Sequence, residues 1–463
     1  MKIKIKLIKI SVIALFAIAT TSAQNNINWV RYEDNFTDLK KDTVKKGLDK
    51  LKYIQLSKNI NISFGGEIRE QFQYYENQNF GDVPLTVSNP NTVQILHRSM
   101  AHVNLELGRK LRLFTQIGST FRFGNEDPLV AQIEENKLNI HQAFIDYKFH
   151  NKWLARVGRQ EVFYGNHRLF TFREGPNNRL SFDAAKVVYQ SKKRKYDMFI
   201  MTPVIAKEGV LDDSSFKDIV IGLHSTEKII TDYLIMDSYT LIFNTDNRSY
   251  NYQKGHERRE TSGIRLYSSN HNFNYEIEGN YQKGKFNDLK IEAYSLSTDV
   301  NYLLNAKHNI MLGISTNYMT GDKSPNDDKL NTYNSMFSKP PFGLVAPIGL
   351  SNIVNINPYI KMNPTVKSNV YMGVYWLKRQ SNQDGTYAPG AGGAIETRPI
   401  PTLLYSSTSK DIGTLFVLES NYFLNKNLSF GYDASYLTAG NYPKETGSGR
   451  NILYLSFKSI FKF

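Results

Sequence analysis

Residues 60–74 read INISFGGEIREQFQY. The even positions are Ile60, Ile62, Phe64, Gly66, Ile68, Glu70, Phe72 and Tyr74, and the odd ones Asn61, Ser63, Gly65, Glu67, Arg69, Gln71 and Gln73. Successive side chains of a strand point to opposite faces, so this is a strand with one apolar and one polar side. A helix, with about 3.6 residues per turn, does not produce that alternation. The run is also too long for a globular strand of about five or six residues, and it suits a membrane strand of about 9–11.

The same alternation recurs to the end of the chain. Ala101, Val103, Leu105 and Leu107 interleave with Arg98, His102, Asn104 and Glu106. Leu111, Leu113, Ile117 and Phe121 interleave with Lys110, Arg112, Gln116 and Arg122. Further runs cover 273–282, 428–436 and 453–463, and Tyr and Phe gather toward their ends as interfacial girdles do. Connections fall into two classes. Short ones are read at 108–110, 150–152, 191–195, 269–271, 305–307, 363–365 and 425–427. Long ones alternate with them at 76–92, 124–137, 163–179, 202–216, 244–260, 321–352 and 379–411. Short periplasmic turns and long extracellular loops are the habit of outer-membrane barrels. We therefore expect an all-β, transmembrane antiparallel barrel over 58–463, of about 18 strands. In hydrocarbon every backbone group needs a partner, so the sheet must close. A soluble β-sandwich is the competing reading.

Composition agrees with this class. The chain has 463 residues, 57 Lys plus Arg against 43 Asp plus Glu, a net charge of +14, and no cysteine. Disulfide frameworks, thiolate metal sites and cysteine nucleophiles are excluded. Lys2, Lys4, Lys6 and Lys9 precede an uncharged, mostly apolar stretch and the small residues Thr21, Ser22 and Ala23, which reads as a signal peptide over 1–23. No run of about 18 apolar residues follows it. Residues 24–57 read as a segment that stays in the periplasm or docks in the lumen.

A barrel of about 18 strands should enclose water rather than a filled core. Parity assigns Arg69, Arg98, Lys110, Arg112, Arg122, Arg156, Lys186, Arg265, Lys361 and Lys458 to the lumen, with Glu67, Glu106, Asp146, Asp183, Glu276, Glu278 and Glu419. Rings of Arg or Lys select anions. Equally, Arg and Glu can pair across the wall and stiffen it. Arg159, Arg168, Arg173 and Arg179 fall in or beside one long loop; such a loop either folds inward and narrows the lumen or stays solvated, and its composition favours the solvated state.

The stretch Arg156-Val157-Gly158-Arg159-Gln160-Glu161, then Tyr164-Gly165-Asn166-His167-Arg168-Leu169, then Arg179-Leu180-Ser181-Phe182-Asp183 resembles the alginate export family of outer-membrane porins. So do Gly65-Gly66-Glu67-Ile68-Arg69, Asn357-Pro358 and Asp384-Gly385-Thr386-Tyr387; Gly175-Pro176-Asn177-Asn178 departs from the family by being less aromatic. The resemblance implies a monomeric barrel in the bacterial outer membrane that passes an anionic uronate polysaccharide by diffusion through an electropositive constriction. It implies Arg69, Arg156, Arg159, Arg168 and Arg179 as constriction arginines, oriented by Glu67, Glu161 and Asp183. Arg98 and Arg122 join the substrate-binding candidates by parity. Expected partners are an anionic saccharide or organic anion, outer-membrane lipid, and the barrel assembly machinery at the strand ending in Phe463. No cofactor, metal or nucleic acid is expected. His256-Glu257-Arg258-Arg259-Glu260 lacks the second histidine of a zinc motif and reads as a loop. The alternatives are a barrel enzyme of the lipid-hydrolase type and a structural barrel with a plugged lumen.

Overall fold

The computed structural model describes residues 28–41, 45–82, 90–124, 134–250, 253–269, 272–343, 348–390, 393–396 and 407–463. The expected signal peptide lies outside the described residues. Eighteen long strands form the wall. In chain order they are β1 (Ile60–Glu76), β2 (Thr92–Leu107), β3 (Leu111–Gly124), β4 (Asn136–His150), β5 (Trp153–Gln160), β6 (Phe182–Gln190), β7 (Arg194–Ile205), β8 (Ile219–Ile230) and β9 (Leu234–Tyr250). They continue as β10 (Gln253–Tyr267), β11 (Phe273–Phe286), β12 (Leu289–Asn305), β13 (Ile310–Met319), β14 (Ile353–Met362), β15 (Ser368–Lys378), β16 (Asp411–Phe423), β17 (Leu428–Ala439) and β18 (Ile452–Lys462). Each pairs antiparallel with its sequence neighbours, and β1 pairs with β18 from Glu67↔Lys462 to Glu76↔Leu453, which closes the cylinder. No edge is left for lipid to meet. Among the described residues no helix is long and apolar enough to cross a membrane.

The alternation sets the two faces. Along β1, Glu67, Arg69, Gln71 and Gln73 are buried inside while Ile68 and Phe72 are exposed outside. Ile95, Ile117, Ile145, Ile200, Leu223, Ile264 and Leu296 continue the outer apolar band. Phe149, Trp153, Tyr189 and Tyr196 stack in a row beside the short turns, forming part of a girdle.

Three expectations are corrected. The stretch 244–260 is not a long loop: β9 and β10 run through it as a hairpin, paired from Asn244↔Arg258 to Tyr250↔Gln253. Its inner face carries Thr245, Glu257 and Arg259, and its outer face carries Arg258 and Glu260. Both sides are polar, so no apolar alternation marked it. The stretch 256–260 is thus strand, and Glu257 pairs with Arg259 at 2.8 Å. Second, the loop after β5 is not solvated. Val162, Leu169, Phe170, Phe172 and Leu180 are buried within the barrel. Third, the lumen is not water throughout. Phe170 packs on Phe337, and both join Phe182, Phe243, Met319, Ile353, Leu377, Ile412, Leu437 and Ile452 in one apolar cluster. These strand residues belong to the ends far from the short turns. The half of the cylinder away from the short turns is therefore filled by its own loops, including the short α1 (Asn441–Thr446), whose Tyr442 is fully buried.

Candidate functional site

Two loops fold inward and grip each other. The amide of Phe337 donates to the Leu169 carbonyl at 2.8 Å, and that of Lys339 to the His167 carbonyl at 3.1 Å. Arginine–carboxylate hubs fix them to the wall. In the first, Arg98 of β2 donates Nε to Glu67 at 2.9 Å and also binds Glu174 of the loop. Arg69 donates to the carbonyls of Glu174 and Pro176 at 2.9 and 3.1 Å. Arg179 pairs with Glu161 at 2.8 Å and lies 3.3 Å from Glu174. In the second, Arg168 joins Glu276 and Glu278, while Arg265 bridges Asp237 and Glu276 at 2.8 and 2.7 Å. In the third, Arg259 donates to the Thr332 carbonyl at 3.1 Å, and Glu257 accepts from Asn334 at 3.0 Å. Arg156 makes a bidentate pair with Asp146 at 2.6 and 2.9 Å.

The structure thus brings Arg69, Arg98, Arg179, Glu67 and Glu161 together, with Arg168 in a separate hub and Arg156 in a separate pair. Arg122 faces inward near the loops, 3.8 Å from Glu135. Arg159 and Asp183 sit elsewhere. They pair at 2.9 Å, but they share the parity of Val157, which is 59% exposed to the outside. Arg159 also lies against the Asp212 carbonyl, and Asp183 accepts from Ser214, both on the loop covering the outer rim. The lumenal reading of Asp183 and the constriction reading of Arg159 are corrected accordingly. Gly158 beside them has φ +126, and a Cβ there would lie 2.3 Å from the Ala143 carbonyl, so only glycine suits this close approach.

Buried guanidinia this well paired act as fixed struts, their charge cancelled locally. Two lysines stand differently. Lys339, on the loop, has no ion pair or side-chain hydrogen bond among the described residues, and burial within the barrel followed by the field of Arg168 lowers its pKa. Lys361 of β14 has none either, and its ammonium lies 4.7 Å from the Tyr359 ring centre. Both line a cavity of about 440 Å³ with Tyr359, Tyr371, Tyr375 and Glu419. A second cavity of about 400 Å³ shares His167, Lys339, Pro340, Gly343 and Glu419 with it. Amides and hydroxyls build much of the wall of the first. Tyr371 donates to Asn357 at 2.9 Å and meets the Tyr375 hydroxyl at 2.9 Å; Tyr359 donates to Asp299 at 2.7 Å; Asn317 donates to Asn355 at 3.0 Å. A third cavity of about 580 Å³ lies near the short turns on the β2–β7 side, beside Arg112, Arg156 and Lys186.

Sequence reading did not single out Lys339, Glu174 or the tyrosines. The Lys339-Pro340-Pro341 triplet was the available signal: two prolines stiffen a turn and set the lysine before them in extended backbone.

No curated protein matches the chain. Solved barrels do. OccAB4 of Acinetobacter baumannii is 8% identical with a TM-score of 0.57, covering 88% of this chain and 99% of that one. A BenF-like porin of Pseudomonas fluorescens Pf-5 is 8% identical with a TM-score of 0.56, over 87% and 99%. Pseudomonas aeruginosa OccK2 (OpdF), solved in complex with glucuronate, is 8% identical with a TM-score of 0.55, over 87% and 98%. At that identity these likenesses speak for the fold. The alginate export family model matches residues 60–452. That match spans β1 to the start of β18, and with it the chain belongs to the alginate export family of outer-membrane porins, in the bacterial outer membrane.

Proposed function

We propose that this porin passes an anionic saccharide, of the alginate-like uronate kind, or a comparable organic anion, by passive and anion-selective diffusion. The observation that carries the reading is the contrast between arginines locked in ion pairs and the ammonium groups of Lys339 and Lys361, which make no ion pair among the described residues and share their cavity with Asp299 and Glu419. Their charge is free to attract a carboxylate. The tyrosine hydroxyls and amides beside them suit a polyhydroxylated solute, which needs many weak hydrogen bonds and few strong ones. The glucuronate held by OccK2 is a solute of this chemistry on a similar fold. Two cavities that share five lining residues adjoin beside the loop, and the proposed route runs through them.

Reversal potentials in planar bilayers test this. The parent should prefer anions, and Lys339→Gln with Lys361→Gln should move the reversal potential most of the way to the non-selective value. A cation-selective parent would refute the reading. The apolar cluster in the half away from the short turns favours a second reading, a structural barrel whose loops plug it. That reading predicts no conductance steps from the parent at all.

A further inference from the structure

The segment Asn28–Asp34 is built into the pore although it precedes the wall. Arg31 is buried and clamps the place where the cylinder closes. Its Nη1 donates to the Gly66 carbonyl at 2.7 Å and its Nη2 to the Phe463 carbonyl at 2.8 Å. Those two residues also exchange backbone bonds at 2.8 and 3.0 Å across the seam. Asp34 holds the guanidinium from behind at 2.9 Å. Tyr32 enters an aromatic box, with Phe144 at 5.3 Å and the Arg156 guanidinium 4.2 Å above its ring, and its hydroxyl donates to the Glu161 carbonyl at 3.1 Å. Arg179 reaches the Trp29 carbonyl at 2.9 Å. The segment therefore ties the wall to the inward loop. Tyr32 lines one cavity of the lumen and Trp29 lines another.

Trp29 is the unusual member. Its side chain is 48% exposed although it sits inside the barrel, and the Lys462 ammonium lies 3.5 Å from its ring centre. Apolar area left facing water is costly unless something covers it. A pyranose ring has a face of C–H groups that covers an aromatic ring well, and its hydroxyls remain free for Glu419, Asn421 and Lys458 on the same cavity wall.

We propose that residues 28–34 form a resident strut of the lumen and that Trp29 is a stacking platform for a pyranose ring of the transported saccharide. The second half of this proposal rests on the saccharide reading above; the strut does not.

The test is single-channel recording of the full chain in potassium chloride, with and without a mannuronate tetrasaccharide, the folded state of each variant being checked by heat-modifiable gel migration. Trp29→Ala should shorten saccharide residence roughly two- to tenfold, the range expected of one aromatic contact. Trp29→Phe should recover most of it. Arg31→Gln should raise the plain salt conductance by freeing the strut. Saccharide block that persists unchanged in Trp29→Ala would overturn the platform alone. Unchanged conductance in Arg31→Gln would overturn the strut. A parent that conducts salt but shows no block by the tetrasaccharide would overturn the saccharide reading and the platform together, and leave the strut standing.

Discussion

Glu174→Gln keeps the shape of the first hub and removes its central charge. Three guanidinia surround that carboxylate: Arg98, Arg179 at 3.3 Å and Arg69 at 3.8 Å, each at most 2% exposed. After the substitution Arg98, Arg179 and Arg69 keep Glu67, which also meets Lys462 at 3.9 Å, and Glu161 as ion-paired carboxylates, so the buried cations of the hub lose one partner. Breaking such a pair costs about 3–5 kcal/mol. Glu174 is 26% exposed to a water-accessible cavity, which lowers the expected cost to about 2–3 kcal/mol. The wall should hold, since its ladders are continuous. The loss should appear in the inward loop as a rise of about 30- to 160-fold in its opening equilibrium. Two amides report it by hydrogen exchange: Leu180, bonded to the Phe172 carbonyl at 2.8 Å, and Phe337, bonded to Leu169 at 2.8 Å. Acid should reproduce the effect in the parent. Burial pushes the Glu174 pKa up, but Arg98, Arg179 and Arg69 outweigh it and hold the carboxyl well below its ordinary 4.5. A depressed carboxyl contributes its full stability above the unfolded value and loses it as pH falls. Loop exchange should therefore accelerate progressively below about pH 4.5. A less than threefold change at both amides in Glu174→Gln would show that the hub does not hold the loop.

Two further outcomes follow from the same geometry. Arg156→Lys preserves the charge but loses the bidentate grip on Asp146 and the stacking between Phe144 and Tyr32, at 4.1 and 4.2 Å; it should lower stability by about 1–3 kcal/mol, read as a lower temperature of the heat-modifiable shift. Asp322, on the long loop after β13, has its pKa raised from 3.8 to about 7 by burial, with Asp384 and Asp327 adding to the rise. An acid raised on folding destabilises as pH climbs from its unfolded to its folded value, so the Tyr333 amide, bonded to Thr320 at 2.9 Å, should exchange faster at pH 8 than at pH 5 after correction for intrinsic rates, and Asp322→Asn should flatten that dependence.

The wall was legible because two solvents write on it. Ile68, Phe72 and Ile117 meet lipid, while Arg69, Gln71 and Gln116 face inward, so each strand inside the apolar band carries its own parity reference. Where the band ends, the reference ends. The β9–β10 hairpin above it is polar on both faces and read as a loop. Arg159 and Asp183 pair beside Gly158; parity gives Asp183 to the lumen and the resemblance implies Arg159 for the constriction, whereas both lie on the outward face. The inward course of residues 161–181 was beyond pattern reading for a different reason. Phe170 and Phe172 are as consistent with a loop over the mouth as with one inside it, and the decision rests on Phe337, about 165 residues away in sequence, and on the Glu174 hub.

That distance explains why the arginine-rich motif marked the family better than it marked the charge. A net charge of +14 and a run of arginines suggest a positive lumen, yet a guanidinium that finds a carboxylate at 2.6–2.9 Å contributes shape and little field. Arg179–Glu161 and Arg168–Glu278 do so where they dock one loop, Arg98 does so by holding both Glu67 of the wall and Glu174 of the loop, and Arg156–Asp146 does so within the wall. On the proposed route, field is left to cations without such partners, among them Lys339 on that docked pair of loops and Lys361 on the wall of the same cavity. If the proposed anion route holds, the arginines act on selectivity indirectly, by fixing where Lys339 stands. Loss of an arginine hub should therefore disturb conductance and selectivity together, whereas loss of the lysines should change selectivity and leave the size of the opening nearly as it was.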